Sequence, residues 1–174
     1  FRRVVPTYLD GCIRVTRLRL PRRSNTGTAL PTIGKIMTKS NSRESQYPIE
    51  PIFLDRWSPR AFTGEIIDEA DLLTVLDAAH WAPSSANQQP WRFIYTLKGS
   101  NDWDKFVSLL VDSNQEWAKN ASALIFVVSK GFSGDFSEGR KSYTHSFDAG
   151  TAWGYLALQA KLSGFYAHGM GGIK

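Results

Sequence analysis

Cysteine is almost absent from this chain: Cys12 is the only one in 174 residues. A lone thiol closes no internal disulfide and builds no thiolate metal site, so nothing points to an oxidising compartment. Histidine is scarce as well. His80, His145 and His168 show no metal-ligand spacing and no paired carboxylate motif, which leaves no candidate metal residue. No apolar run reaches the length of a membrane span. Ser84 and Ser85 lack the Gly-x-Ser-x-Gly setting of a hydrolase nucleophile, and no Gly-x-Gly-x-x-Gly dinucleotide fingerprint occurs. Disulfide scaffolds, zinc modules, membrane spans and serine hydrolases are thereby set aside, and a cytoplasmic globular domain is the expectation.

Positive charge is in excess, but it is unevenly placed. The chain has 21 Lys and Arg against 16 Asp and Glu, a formal charge of +5. Eight of the basic residues lie within residues 1–36, beside Asp10 alone. The remainder is mildly acidic, with thirteen basic residues against fifteen acidic ones. A basic excess confined to one arm does not make a nucleic-acid-binding body, and the arm has no interleaved aromatics or groove-reading motif. It is Arg-rich and acid-poor, as a targeting peptide would be, but the chain opens on Phe1, and Met37 precedes a polar stretch. We expect residues 1–46 to be a basic and polar leader, poorly ordered or not translated, with a start near Met37. Residues 47–174 are expected to form one domain.

Local patterning predicts the elements. Pro48 to Asp55 reads as a short helix. Asp68, followed by acidic Glu69 and Asp71, starts a second; Leu72, Leu73, Leu76 and Ala79 continue it at helical spacing and Pro83 closes it. Trp91 to Leu97 alternates as a strand, with Trp91, Phe93 and Tyr95 on one side. Trp103 to Val111 fits an amphipathic helix. Ala123 to Val128 is wholly apolar and reads as a buried central strand. Gly and charged residues from Lys130 to Lys141 predict a surface loop. The longest helix runs roughly from Ser142 to Leu162 and stops at Gly164. Its Ala149, Gly150, Ala152, Gly154, Ala157 and Ala160 would admit another helix closely, from this chain or a second copy. After Phe165, Tyr166 and Ala167 comes a Gly-rich turn, His168 to Gly172.

Two clusters carry chemistry. Arg56-Trp57-Ser58-Pro59-Arg60 offers two guanidinium groups and a hydroxyl within one short turn, the forked, charge-assisted donors that suit a phosphate monoester. Ala82-Pro83-Ser84-Ser85-Ala86-Asn87-Gln88-Gln89-Pro90-Trp91 is a Pro-bounded loop of small hydroxyl and amide side chains, able to bond a polar heterocycle edge. Taken singly, the first is two surface arginines by a helix and the second an ordinary helix-to-strand connection.

In this order and at this spacing the pair resembles the FMN-dependent nitroreductase family, whose members open with an Arg-x-Ser-x-Arg turn and continue to a Pro-Ser-Ser-x-Asn-x-Gln-Pro-Trp loop. The resemblance covers about Arg56 to Ile173. It implies an α+β fold, a mixed, mostly antiparallel sheet flanked by helices, with a long central helix at a homodimer interface. It also implies FMN shared across that interface, with Arg56, Ser58 and Arg60 on the phosphate and Trp57 at the turn's variable position. Pro83, Ser84 and Ser85 would lie against the isoalloxazine, and Asn87 and Gln89 would offer amides to its pyrimidine edge. Gly169, Met170, Gly171 and Gly172 would bring a backbone N–H towards flavin N5, where glycine suits close approach to a flat ring. Family members continue beyond this point, so the chain is expected to be incomplete at its C-terminus.

The chemistry so implied belongs to the flavin: hydride from NADPH or NADH to N5, then to a nitroaromatic, quinone or related acceptor in ping-pong order, with no catalytic side chain demanded. Other readings are a specialised flavin enzyme such as a dehalogenase or oxidase, and a non-catalytic FMN-binding protein. No nucleic-acid or membrane partner is expected.

Overall fold

Ala123–Ser129 is buried at every position, and the rest of the fold covers both of its faces. The computed structural model describes residues 8–17, 42–133 and 139–174. The elements are β1 (Tyr8–Arg17), α1 (Pro51–Asp55), α2 (Glu69–His80), β2 (Trp91–Leu97), α3 (Trp103–Ser108), α4 (Asp112–Ala118), β3 (Ala123–Ser129), β4 (Phe132–Ser133), β5 (Arg140–Lys141), α5 (His145–Leu162) and β6 (Phe165–Met170).

The main sheet has the order β2-β3-β1-β6, with every neighbouring pair antiparallel. Successive side chains of a strand point to opposite faces, and β3 divides the core accordingly. Ala123, Ile125 and Val127 join Leu72, Val75 and Ala79 of α2 and Ala152, Leu156 and Ala160 of α5. Leu124 and Phe126 face the other way, into Trp103, Leu110 and Ala118. The result is the expected α+β layering: α2 and α5 on one face, α3 and α4 on the other. The Tyr95 hydroxyl donates to Glu69 Oε1 at 2.8 Å, tying β2 to the start of α2. That bond, with desolvation and the carboxylate's charge, raises Tyr95 above its ordinary value.

Four local expectations change. Within the stretch assigned to a leader, Tyr8–Arg17 instead pairs with β3 on one side and β6 on the other. Ile13, Val15 and Thr16 supply β-branched strand character that the surrounding arginines obscure in a charge count. Met37, read as a start, lies outside the described residues. Asp112–Ala118 forms a separate helix, and the Lys130–Lys141 loop contains the small β4–β5 hairpin. The Gly-rich turn begins later than expected, because β6 runs on through His168, Gly169 and Met170. Gly169 is a packing glycine: a Cβ there would stand 3.2 Å from the Trp153 ring of α5.

The small residues of α5 also separate into two sets. Ala149, Ala152, Ala157 and Ala160 are buried inside the chain. Gly150 and Gly154 have nothing within 4 Å of where a Cβ would be. Gly164, at φ +84°, ends the helix in the left-handed conformation that glycine adopts without strain.

Candidate functional site

β3 and β6 are each antiparallel to β1, so they run parallel to one another and finish at the same end of the sheet. β2 begins there too, since Trp91 pairs with Ser129. The loop entering β2 and the turn leaving β6 therefore lie at one end of the sheet. These are two of the three segments the sequence singles out.

The third, Arg56–Arg60, leaves α1 in extended backbone, with Arg56 at φ −74°, ψ 128° and its N–H on Ile52 O at 2.9 Å. Pro59 is fully buried. Its carbonyl accepts from His168 Nδ1 at 2.8 Å; a carbonyl can only accept, so the imidazole carries its proton on Nδ1. Trp57 meets Tyr166 edge-on at 6.3 Å between ring centroids. The segment is thus laid across the Tyr166 and His168 face of β6, and the His168 ring rests on Trp117 of α4 at 4.7 Å. Pro59 is the anchor, while Ser58 and Arg60 are exposed and Arg56 half-buried. Among the described residues, no carboxylate bridges either guanidinium, so both forks remain available to an anion. Trp57 packs on Tyr166 and keeps 44% of its surface.

The Pro83–Gln89 loop is built differently. Ser85–Asn87 form one 3-10 turn, and Ala86, Asn87 and Gln89 have φ of 49°, 53° and 46°. Ser84 Oγ accepts the Gln89 N–H at 2.9 Å, and Gln89 Nε2 donates to Asn87 Oδ1 at 2.9 Å. The two amides read as ligand donors therefore bond each other in this structure. Asn87 and Ser85 are exposed, and Ser84 and Gln89 half-buried. Beneath the loop, Lys130 N donates to Pro90 O at 2.9 Å. Ser85 N–H reaches Asp148 Oδ2 of α5 at 3.3 Å.

The turn after β6 is held by α4. Asn114 Nδ2 donates to Gly171 O at 2.8 Å, and Val111 N donates to Gly172 O at 2.9 Å. Gly172 has φ +87°, and a Cβ there would stand 2.8 Å from Asn114 Nδ2 and 2.9 Å from Val111 Cγ2. Met170 is half-buried against the Trp103, Leu110 and Phe126 cluster.

The His168–Pro59 bond thus joins the Arg56–Arg60 segment to β6, directly ahead of Gly171 and Gly172, while the Ser84–Gln89 loop is fastened to α5. Three supporting residues escape a motif reading. Asp148 is an ordinary first-turn acid in sequence, and its only signal is Thr144 four residues earlier. Asn114 belongs to no motif in the sequence, and His168 reads as a turn residue rather than a strand residue.

The nitroreductase family matches residues 54–106, the span that holds both motif clusters. A solved oxidoreductase containing FMN is 60% identical over 79% of this chain and 70% of that one, with a TM-score of 0.74. A Desulfovibrio desulfuricans protein solved in complex with FMN shares 23% identity over 68% of this chain and 64% of that one, TM-score 0.55. An FMN-dependent nitroreductase of Clostridium difficile shares 23% identity over 64% of this chain and 60% of that one, TM-score 0.51. These last two show the fold alone, and this chain spans less than two thirds of either. Among curated proteins none matches.

Proposed function

Because the chain belongs to the nitroreductase family, we propose that it is an FMN-dependent oxidoreductase, with the cofactor at the sheet end that carries Ser84–Gln89 and Gly171–Gly172, beside the Arg56–Arg60 segment anchored on β6. The observation that carries this reading is the disposition of Arg56, Ser58 and Arg60. A buried Pro59 anchors their backbone, and their donors stand at the surface with no described carboxylate on the guanidinium groups. That donor set fits a phosphate monoester, which bonds forked guanidinium groups in bidentate fashion. Pro83, Ser84, Ser85, Asn87 and Gln89 would face the ring, and Met170, Gly171 and Gly172 would bring backbone beside it.

Bound there, FMN would supply hydride-transfer chemistry between NADH or NADPH and a nitroaromatic, quinone or related acceptor, in ping-pong order. The chain's own residues bind the phosphate, orient the ring and exclude water, and none is required as a catalytic acid or base. The reading includes a cytoplasmic setting, and no described helix is long and apolar enough to cross a membrane.

The reading also includes a homodimer. Tyr143 and Phe147 are 88% and 77% exposed at the start of α5, and Leu162 is exposed at its end. Gly150 and Gly154 lie between them with open space where side chains would be. A helix from a second copy can approach closely along such a face. Phe147→Asp is expected to convert a dimer to a monomer in sedimentation analysis and to release FMN if the site is shared across the interface.

The deciding experiment is an absorbance spectrum before and after adding NADPH or NADH without oxygen. Flavin bands that bleach, and that return when a nitroaromatic or quinone is added, are the expected result. A yellow protein that neither nicotinamide bleaches would make it an oxidase or a flavin carrier. A folded, colourless protein that takes up no added FMN would end the flavin reading.

A further inference from the structure

The Ser84–Gln89 loop holds a backbone its own sequence does not favour. Ala86, Asn87 and Gln89 lie at φ 49°, 53° and 46°. The left-handed region costs a residue other than glycine about 1–2 kcal/mol, with asparagine among the better tolerated. Such a conformation persists where its surroundings over-determine it. Within the loop, the restraints are Ser84 Oγ on the Gln89 N–H, the Asn87–Gln89 amide bond, and the backbone bonds from Asn87 N to Ser84 O and from Gln88 N to Ser85 O. From outside, the restraints are Arg92 Nη1, which donates to Gln89 O at 3.0 Å, and Asp148, which holds the Ser85 end.

Asp148 lies in the first turn of α5 and is 3% exposed. Its Oδ2 accepts the Ser85 N–H at 3.3 Å across 63 residues of chain, and the Thr144 hydroxyl at 3.1 Å. A carboxylate this deep is unfavourable unless donors satisfy it, and charge-assisted bonds are the stronger kind. Thr144, the N-cap residue, holds the carboxylate from the helix side, and Ser85 engages it from the loop side. Neighbouring bonds fasten the same corner: Ser129 Oγ and His145 Nδ1 lie 2.6 Å apart, and Lys130 N–H reaches Pro90 O. None of these contacts reaches Arg56–Arg60, which hangs on β6 through His168.

We infer that Asp148 is a positioning residue for the flavin ring: through the Ser85 N–H its carboxylate holds the Ser84–Gln89 loop in the conformation that meets the cofactor. This role rests on the flavin site proposed above and concerns the ring half of that site only. Loss of Asp148 therefore weakens flavins with and without a phosphate by the same factor.

The test compares wild type, Asp148→Ala and Asp148→Asn in the full chain. FMN and riboflavin, which lacks the phosphate, are titrated into each by fluorescence. Exchange of the Ser85 amide is followed by NMR in the flavin-free proteins. Asp148→Ala is expected to weaken both flavins about tenfold, leaving their affinity ratio unchanged, and to speed Ser85 exchange to a similar degree. Asp148→Asn retains an acceptor oxygen without the charge, so a loss of about threefold in both flavins is expected. A merely structural aspartate would lower Tm while the folded fraction kept its flavin affinity.

Folded Asp148→Ala protein with unchanged affinities, or with loss of FMN alone, overturns the assignment. If the alanine variant does not fold, Asp148→Asn with wild-type affinities and Ser85 exchange overturns it equally. Wild type that binds neither FMN nor riboflavin defeats the flavin site itself, and this role with it.

Discussion

The Arg56–Arg60 segment and the Ser84–Gln89 loop are both short, polar and rich in turn residues, yet they are held in opposite ways. The first is fixed through its middle: Pro59 is fully buried and its carbonyl is bonded by His168, so its neighbours' side chains are free at the surface. The second is largely exposed, carries three left-handed residues, and is held from outside by a buried carboxylate. Packing can preform a binding segment whose functional groups take no part in stability. A loop held by a few polar bonds depends on residues remote from the ligand. The consequence is that the two halves of one candidate site fail differently when mutated.

The largest effect expected tests the packed half. Arg56→Ala combined with Arg60→Ala removes two charge-assisted donors, each worth about 1.5–3 kcal/mol, and should weaken FMN about a hundredfold or more. Riboflavin affinity and Tm should scarcely move, because neither side chain supports the fold. A fall in Tm as large as that of a core variant would break the contrast between the two regions.

Next in size is Gly172→Ala, which carries the comparison to the turn after β6. The new Cβ would stand within 2.9 Å of Val111 and 2.8 Å of Asn114 Nδ2 at φ +87°. Displacing that amide also breaks its bond to Gly171 O, so a loss of about 1–3 kcal/mol is expected in urea unfolding. His168→Ala should follow closely. It strands the buried Pro59 carbonyl and removes the ring against Trp117, at about 1–2 kcal/mol, with a modest loss of FMN but not of riboflavin. Equal losses of both flavins would show that the two regions are not independent.

The smallest effect sharpens the other side. Ala86→Gly relieves a left-handed alanine and should stabilise the protein by about 0.5–1 kcal/mol, less whatever freedom glycine adds to the unfolded chain. Unchanged or lower stability would show that φ 49° is not strained in this setting.

Legibility in the sequence follows the range of the signal. β2 matches its expected bounds, β3 extends one residue beyond them, and α5 starts three residues late. Alternation, an unbroken apolar run and helical spacing are all short-range patterns. The turn expected at His168–Gly172 is only partly a turn, because glycine marks either a bend or a close contact and the sequence does not distinguish them. At Gly169 the cause is Trp153, sixteen residues away on α5. β1 is hard to read because it lies in an Arg-rich arm whose charge outweighs its own short β-branched run, and only its pairing with β3 and β6 reveals it as a strand. Asp148 was illegible for a similar reason: a first-turn acid is common, and its partner Ser85 is distant in the chain.

The sequence by itself determined the types of most elements, the chemistry of the Arg56–Arg60 and Pro83–Gln89 clusters, and the family to which they belong. These properties reside in neighbouring residues, in their spacing and in the groups they present. Only the tertiary structure decided that Pro59 rests on His168, that Ser85 is held by Asp148, and that the small residues of α5 divide between an inner and an outer face. Each depends on which distant segments meet in the folded chain, and sheet register and helix packing set that only when the whole core assembles.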